Sequence, residues 1–161
     1  MQTSRILWLR VVAWNREERP DIPVVSGLME LVPGPPPQGW RASIATTYDT
    51  VAVQRDEMGE AEWRWPIAER VLATLRLEQR TRLLELGAGV GYTSRWFADR
   101  GMDVVATDLA PAQVELCLAK GLDARVADLY DLPFERESFD AVWGMNCIHH
   151  VADGDLEAVL P

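Results

Sequence analysis

The 161-residue chain predicts a doubly wound α/β domain built on a mostly parallel sheet. Three observations carry that expectation. Short apolar runs alternate with segments of helical period, the first run ends in glycines at every second position, and acids stand at the ends of the next two runs.

In "WPIAERVLATL", Ile67, Val71 and Leu75 recur every fourth residue with Ala68 and Leu72 beside them, which predicts an amphipathic helix. Pro66 suits its first turn. "TRLLEL" follows as a short buried strand, and "GYTSRWFADR" as a helix closed by Gly101. "DVVATD" is a second strand, and "PAQVELCLAK" a helix that starts at Pro111 and ends before Gly121. "DARVAD" is a third strand. After the loop "LYDLPFERES", whose acidic part reads as a solvated turn, "FDAVWGMN" is a fourth. "DGDLEAVL" begins a helix, with Asp153 or Asp155 near its positive end. Crossovers of this length join parallel strands and bring the strands' carboxyl ends to one edge, where ligands bind in such folds.

Residues 1–40 differ from the rest, since they hold six of the ten prolines and end in "VPGPPPQGW". Pro35, Pro36 and Pro37 favour an extended backbone poor in donors, so this stretch reads as a Pro-rich extension or linker. Trp8, Trp14 and Trp40 leave two readings open: a segment docked on the domain as a lid or first strand, or an extension upstream of the natural start.

Length and a hydrophobic content of 48% fit one domain. A net charge of -9 argues against nucleic acid, whose phosphates need clustered Lys and Arg. No segment has the length of a membrane span. "MQTSRILWLRVVAW" resembles a signal sequence only at its start, because Arg10 interrupts the apolar run and no small-residue cleavage site follows. Cys117 and Cys147 are isolated, so neither disulfides nor a zinc site is expected, and a reducing cytoplasm is the expected compartment.

The chemistry centres on "LLELGAGVG", where Gly87, Gly89 and Gly91 turn the first strand into its helix. Glycines there allow torsions closed to other residues and let a ligand approach the main chain. Seventeen residues beyond Gly91 stands Asp108, able to accept from both hydroxyls of a ribose. Asp128 ends the third strand, where its carboxylate could accept from an adenine amino group, with the Leu129 amide facing a ring nitrogen. A dinucleotide fingerprint would need a glycine at Tyr92, and Glu85 adds a charge that a pyrophosphate would not welcome. A nicotinamide oxidoreductase is therefore disfavoured. Glu85 suits a cationic ligand such as an ammonium or sulfonium, or else it only orders the turn.

These motifs resemble the class I S-adenosylmethionine-dependent methyltransferases, in particular the small-molecule group that includes quinone and natural-product enzymes. "LLELGAGVG" is similar to the family's first motif, "VVATDLAPAQVELCLAKG" to its second, and "ARVADLYDLPFERESFDAVWGMNCIHHV" to its third and fourth. The likeness runs from about Ile44 to the end. It implies residues 41–161 as the cofactor-binding part of a methyltransferase domain using S-adenosyl-L-methionine to methylate a small-molecule acceptor. It further implies that Gly87, Ala88, Gly89 and Gly91 line the methionine part. Asp108 would hold the ribose, Leu109 would also touch the cofactor, Asp128 and Leu129 would hold the adenine, Asn146 would lie beside the methionine end, and Tyr48 would cover the cofactor.

The cofactor carries the difficult step, so the protein mainly positions the acceptor and excludes water. His149 and His150 are the candidate bases; each could instead pack, cap the next turn or line the acceptor pocket. Cys147 with these two histidines lacks the spacing for convergent metal ligation. Trp96 and Trp143 read as core, whereas Trp63 and Trp65 start a helix the family uses as a lid. About four of the family's seven strands are found. The resemblance thus implies a C-terminally truncated domain, with an open edge at the fourth strand that invites self-association or a complementing chain. A catalytically inactive module that binds cofactor or partner is the alternative function.

Overall fold

The computed structural model describes residues 38–145, 147–151, 155 and 159, with His149 described in its backbone only. Trp8, Trp14, Asn146 and Asp153 lie outside the described residues.

Four parallel strands form one sheet in the order β3-β2-β1-β4, with β1 at Arg82–Leu86, β2 at Asp103–Asp108, β3 at Asp123–Val126 and β4 at Ala141–Gly144. Leu83, Leu84, Glu85 and Leu86 of β1 are all buried, as a strand flanked by two neighbours and covered on both faces requires. Pairing on one side moves outward from β1 to β2 to β3, whereas β4 returns to the other side of β1. That reversal between β1 and β4 is the switch point of a doubly wound sheet, and it opens a crevice at the strands' carboxyl ends.

Each strand's alternation divides the core. Leu83, Val104 and Trp143 pack with Ala68, Leu72 and Leu75 of α3 (Arg64–Leu77) and with Phe97 of α4 (Tyr92–Ala98). Phe97 is wholly buried and meets Trp143 and Trp96 edge-on at centroid distances of 5.4 and 5.1 Å. Burial of such a ring stabilises by about 1.5–3 kcal/mol. Ala106 and Ala124 pack on Val114 and Cys117 of α5 (Pro111–Ala119). Leu84, Leu86 and Val105 face the other way, where the segment from Leu129 to Phe139 and Ile148 cover them. The four strands and three of the four helices expected from the sequence are thus present. Gly101 and Gly121 follow α4 and α5 with φ of 89° and 76°.

Two helices were not expected: α1 (Trp40–Thr50) and α2 (Ala52–Met58), which contact α5 and each other. Their buried positions, Ile44 and Ala52, lie on the same four-residue spacing as Tyr48. The weak helix formers Ser43, Thr46, Thr47 and Thr50 hid that period. Trp40 belongs to α1 and packs edge-on to Tyr130 at 6.4 Å, so it is docked on the domain. Of the helix expected from "DGDLEAVL", the described part is one bond of helical spacing, from Val159 N to Asp155 O at 3.2 Å. Among the described residues β4 has no strand on its outer side.

Candidate cofactor and active site

The turn between β1 and α4 is held by the end of β2. Ala88 N donates to Thr107 O at 2.9 Å, Gly89 N to Asp108 Oδ2 at 2.8 Å, and Thr107 Oγ1 to Glu85 O at 2.8 Å. Gly87, Gly89 and Gly91 have φ of 61°, 58° and 85°, in the left-handed region. Their side-chain spaces differ. A Cβ on Gly87 would stand 2.4 Å from Cys147 Cβ, and one on Gly91 2.8 Å from both Cys117 Sγ and Leu122 Cδ1. The chain's own packing therefore disfavours side chains at both positions. At Gly89 a Cβ would meet Gln113 Oε1 at 3.7 Å, an ordinary contact distance, so packing does not crowd this position.

Glu85 is buried beneath this turn and accepts a hydrogen bond from Ser94 Oγ. Burial pushes its carboxyl up to about 8, with the Ser94 hydrogen bond and Arg64 opposing the rise. At neutral pH the group is mostly protonated. It orders the turn as a neutral acid, and a bound cation would draw its proton off.

Asp108 Oδ1 accepts from Ala110 N at 2.9 Å while Oδ2 holds Gly89, so each oxygen keeps a further lone pair. Burial raises its pKa against the pull of these amides and of Arg55. Leu109, half-buried, follows it. Asp128 Oδ1 accepts from Tyr130 N at 3.0 Å, and Oδ2 from Arg41 of α1 at 2.7 Å. The Arg41 guanidinium also lies 4.8 Å from the Tyr130 ring centroid. Leu129 packs its side chain into the core beneath β1 and β2.

Tyr48 lies at the other end of α1, its hydroxyl 3.1 Å from His150 Nε2 and the two rings edge-on at 5.7 Å. Burial raises the Tyr48 pKa, Arg55 lowers it, and Asp108 and Cys147 raise it further, which puts the phenol among the residues of the crevice. Tyr48 O accepts from Gln113 Nε2 at 3.0 Å, and Asp49 Oδ1 from Ala112 N at 2.8 Å. The helix α1 thus crosses from Asp128 to His150 over the ends of β3, β2 and the glycine turn. His150 closes a 3-10 turn, Ile148–His150, after β4.

The sequence reading missed Gln113, Arg41 and Arg55. Gln113 is wholly buried, and its Oε1 has no hydrogen-bond partner. A glutamine inside an amphipathic helical pattern was the signal, and only the fold puts it beside Gly89. Cys117 and Cys147 are free and buried, with thiols pushed up to about 12 by burial, so they serve packing. No cluster of metal-ligating side chains occurs among the described residues. No helix among them is long and apolar enough to cross a membrane.

A Gly-rich turn at the switch point, an acid at the end of β2 and another after β3 define a domain for a nucleoside cofactor. Residues 84–160 match the family described as "Methyltransferase domain", and the chain is similar to class I S-adenosylmethionine-dependent methyltransferases. The ubiquinone biosynthesis O-methyltransferase of Xanthomonas oryzae pv. oryzae is 40% identical over 79 residues, 45% of this chain and 33% of that protein. A methyltransferase solved in complex with the Haloferax volcanii Trm112 methyltransferase activator has a TM-score of 0.60 at 28% identity, over 72% of this chain and 52% of that one. The DhpI-SAM-HEP complex gives 0.57 at 27%, over 78% and 59%. The chain spans about half the length, or less, of the curated relatives it matches. S-adenosylmethionine is the family's cofactor, and the acceptors here fit an adenosyl group. Asp108 and Asp128 keep free lone pairs, and the buried Gln113 Oε1 beside Gly89 lacks a donor.

Proposed function

We propose that this chain binds S-adenosylmethionine and takes part in methyl transfer to a small-molecule acceptor. The observation that carries the reading is the bond from Gly89 N to Asp108 Oδ2, which joins the glycine turn to the acid that would accept from the ribose. Asp108 would take the ribose hydroxyls, with Leu109 beside them. Asp128 and the Leu129 amide would take the adenine edge. Gly87, Ala88, Gly89, Gly91 and Asn146 would line the methionine part.

When bound, the cofactor supplies an electrophilic methyl group on a sulfonium. The chain's own contribution is positional. The ring of Tyr48 would cover the methyl end and keep water out, and His150 would take up the proton that an acceptor hydroxyl releases. His149 stays a candidate for the same pocket. The matched quinone-pathway O-methyltransferase supports a hydroxyl-bearing acceptor.

The outer edge of β4 is the surface at which a further strand would pair, whether from a copy or from another chain. The matched structure with an activator chain supports a partner for this domain. The free, buried cysteines favour a reducing cytoplasm.

The test is a calorimetric titration with S-adenosylhomocysteine, after a sizing run on the purified chain. Micromolar binding by a defined monomer or dimer is the expected result. A folded, monodisperse chain that does not bind would overturn the reading.

A further inference from the structure

We propose that Arg64 and Trp143 bind a carboxylate of the methyl acceptor and so select acidic acceptors, an inference that rests on the methyl-transfer reading above and names its substrate class. The two residues come from different elements. Leu75 of α3 packs with Leu83 near the start of β1, and the helix leads into that strand, so α3 begins at the carboxyl edge of the sheet. Its 14 residues span about 21 Å, against about 17 Å for the five of β1. The first turn of α3 therefore overhangs the strand ends.

Arg64 opens that turn, four residues before Ala68 on the stripe that Leu72 and Leu75 continue against the sheet. Its side chain is only 14% exposed and that of its partner Glu60 17%, so the ion pair faces the molecule and not the solvent. Its charge acts on the Glu85 carboxyl of β1, and Glu85 stands in register with Trp143 of β4. Trp143 shares a cluster with Ala68, Met145 and Trp63, and the Arg64 guanidinium carbon lies 5.4 Å from the Trp63 ring centroid. Arg64 and Trp143 thus stand together on the α3 side of the crevice between β1 and β4.

This group is short of acceptors. Trp143 Nε1 is buried without a hydrogen-bond partner, and so is Arg64 Nε, although Glu60 Oε1 lies 2.9 Å from it. Glu60 Oε1 already accepts from Ala61 N at 3.0 Å, and Glu85, mostly protonated, takes the Ser94 hydroxyl. Buried donors left unpaired are costly, so the pair favours an occupant rich in lone pairs. A carboxylate has about four lone-pair sites and the charge that the planar Arg fork suits. His150 follows the same strand as Trp143, so an acceptor held here by its carboxylate would extend its hydroxyl toward the Tyr48–His150 pair.

The experiment loads the purified chain with S-adenosylhomocysteine and titrates the three positional hydroxybenzoates and their amides, which match in shape and differ in charge. Wild type, Arg64→Met, Arg64→Lys and Trp143→Phe are compared. The proposal expects wild type to bind its best hydroxybenzoate about tenfold more tightly than the matching amide. Arg64→Met should lose that preference and Arg64→Lys keep part of it. Trp143→Phe should weaken acid and amide alike by about fivefold, because both carry the carbonyl oxygen. Equal affinity of wild type for acid and amide, or binding of neither, would overturn the proposal and leave the buried donors to water. An Arg64→Met chain that keeps the preference would overturn it too. Loss of S-adenosylhomocysteine affinity in Arg64→Met beyond about twofold would put Arg64 at the cofactor, overturning the proposal while sparing the cofactor reading. A wild-type chain that does not bind S-adenosylhomocysteine removes both together.

Discussion

Gly89 N donates to Asp108 Oδ2 at 2.8 Å, across nineteen positions of sequence, and this one bond joins the glycine turn to the end of β2. The same carboxylate accepts from Ala110 N, so Asp108 orders two loops before any ligand arrives.

Asp108→Asn keeps the shape of the side chain and removes its charge and one acceptor. Hydrogen bonds to a charged group are worth about 1.5–3 kcal/mol. Affinity for S-adenosylhomocysteine should therefore fall by at least tenfold, while His149→Ala leaves it within a factor of two. Equal losses in the two variants would mean that the binding residues are misassigned.

Glu85 gives a pH dependence with a defined sign. Its carboxyl titrates at about 8 in the folded chain, against 4.5 for the ordinary group. The folded state therefore binds more protons than the unfolded state between these values, so its stabilising contribution is complete below the lower value and is lost as pH rises through the higher. Asp108, also raised, acts in the same direction. Glu85→Gln should flatten the decline of Tm between pH 5 and 9 and make the variant the more stable chain at the alkaline end. Parallel curves for wild type and variant would contradict the buried neutral acid.

Gly87→Ala should destabilise the chain by about 2 kcal/mol or more, since it combines a left-handed φ of 61° with a Cβ 2.4 Å from that of Cys147. Denaturant unfolding would measure it. Adding Cys147→Gly relieves the contact but not the torsion, so part of the loss should return.

Tyr48→Phe removes the hydroxyl that meets His150 and keeps the ring. With a suitable acceptor, turnover should fall about tenfold while S-adenosylhomocysteine affinity stays within a factor of two. Because the two groups act as a pair, His150→Ala combined with Tyr48→Phe should cost little more than His150→Ala alone. Additive losses would show that they work independently.

The sequence by itself determined the strands, their linking helices and the ligand edge. Apolar period and glycine punctuation are local signals, and "LLELGAGVG", Asp108 and Asp128 mark three strand ends without reference to any contact. Strand order, and with it the crevice between β1 and β4, came only from long-range pairing. The helices α1 and α2 were hidden because their stability comes from docking across the site and not from propensity. Tertiary structure also decided how tightly the glycines are packed: Gly87 and Gly91 lie against Cys147, Cys117 and Leu122, residues up to sixty positions away, while a Cβ on Gly89 would meet Gln113 Oε1 at an ordinary contact distance. The same holds for Glu85, whose identity as an acid is written in the chain. Its neutral state depends on the water-excluding packing around Ser94, and no reading of residue order contains that packing.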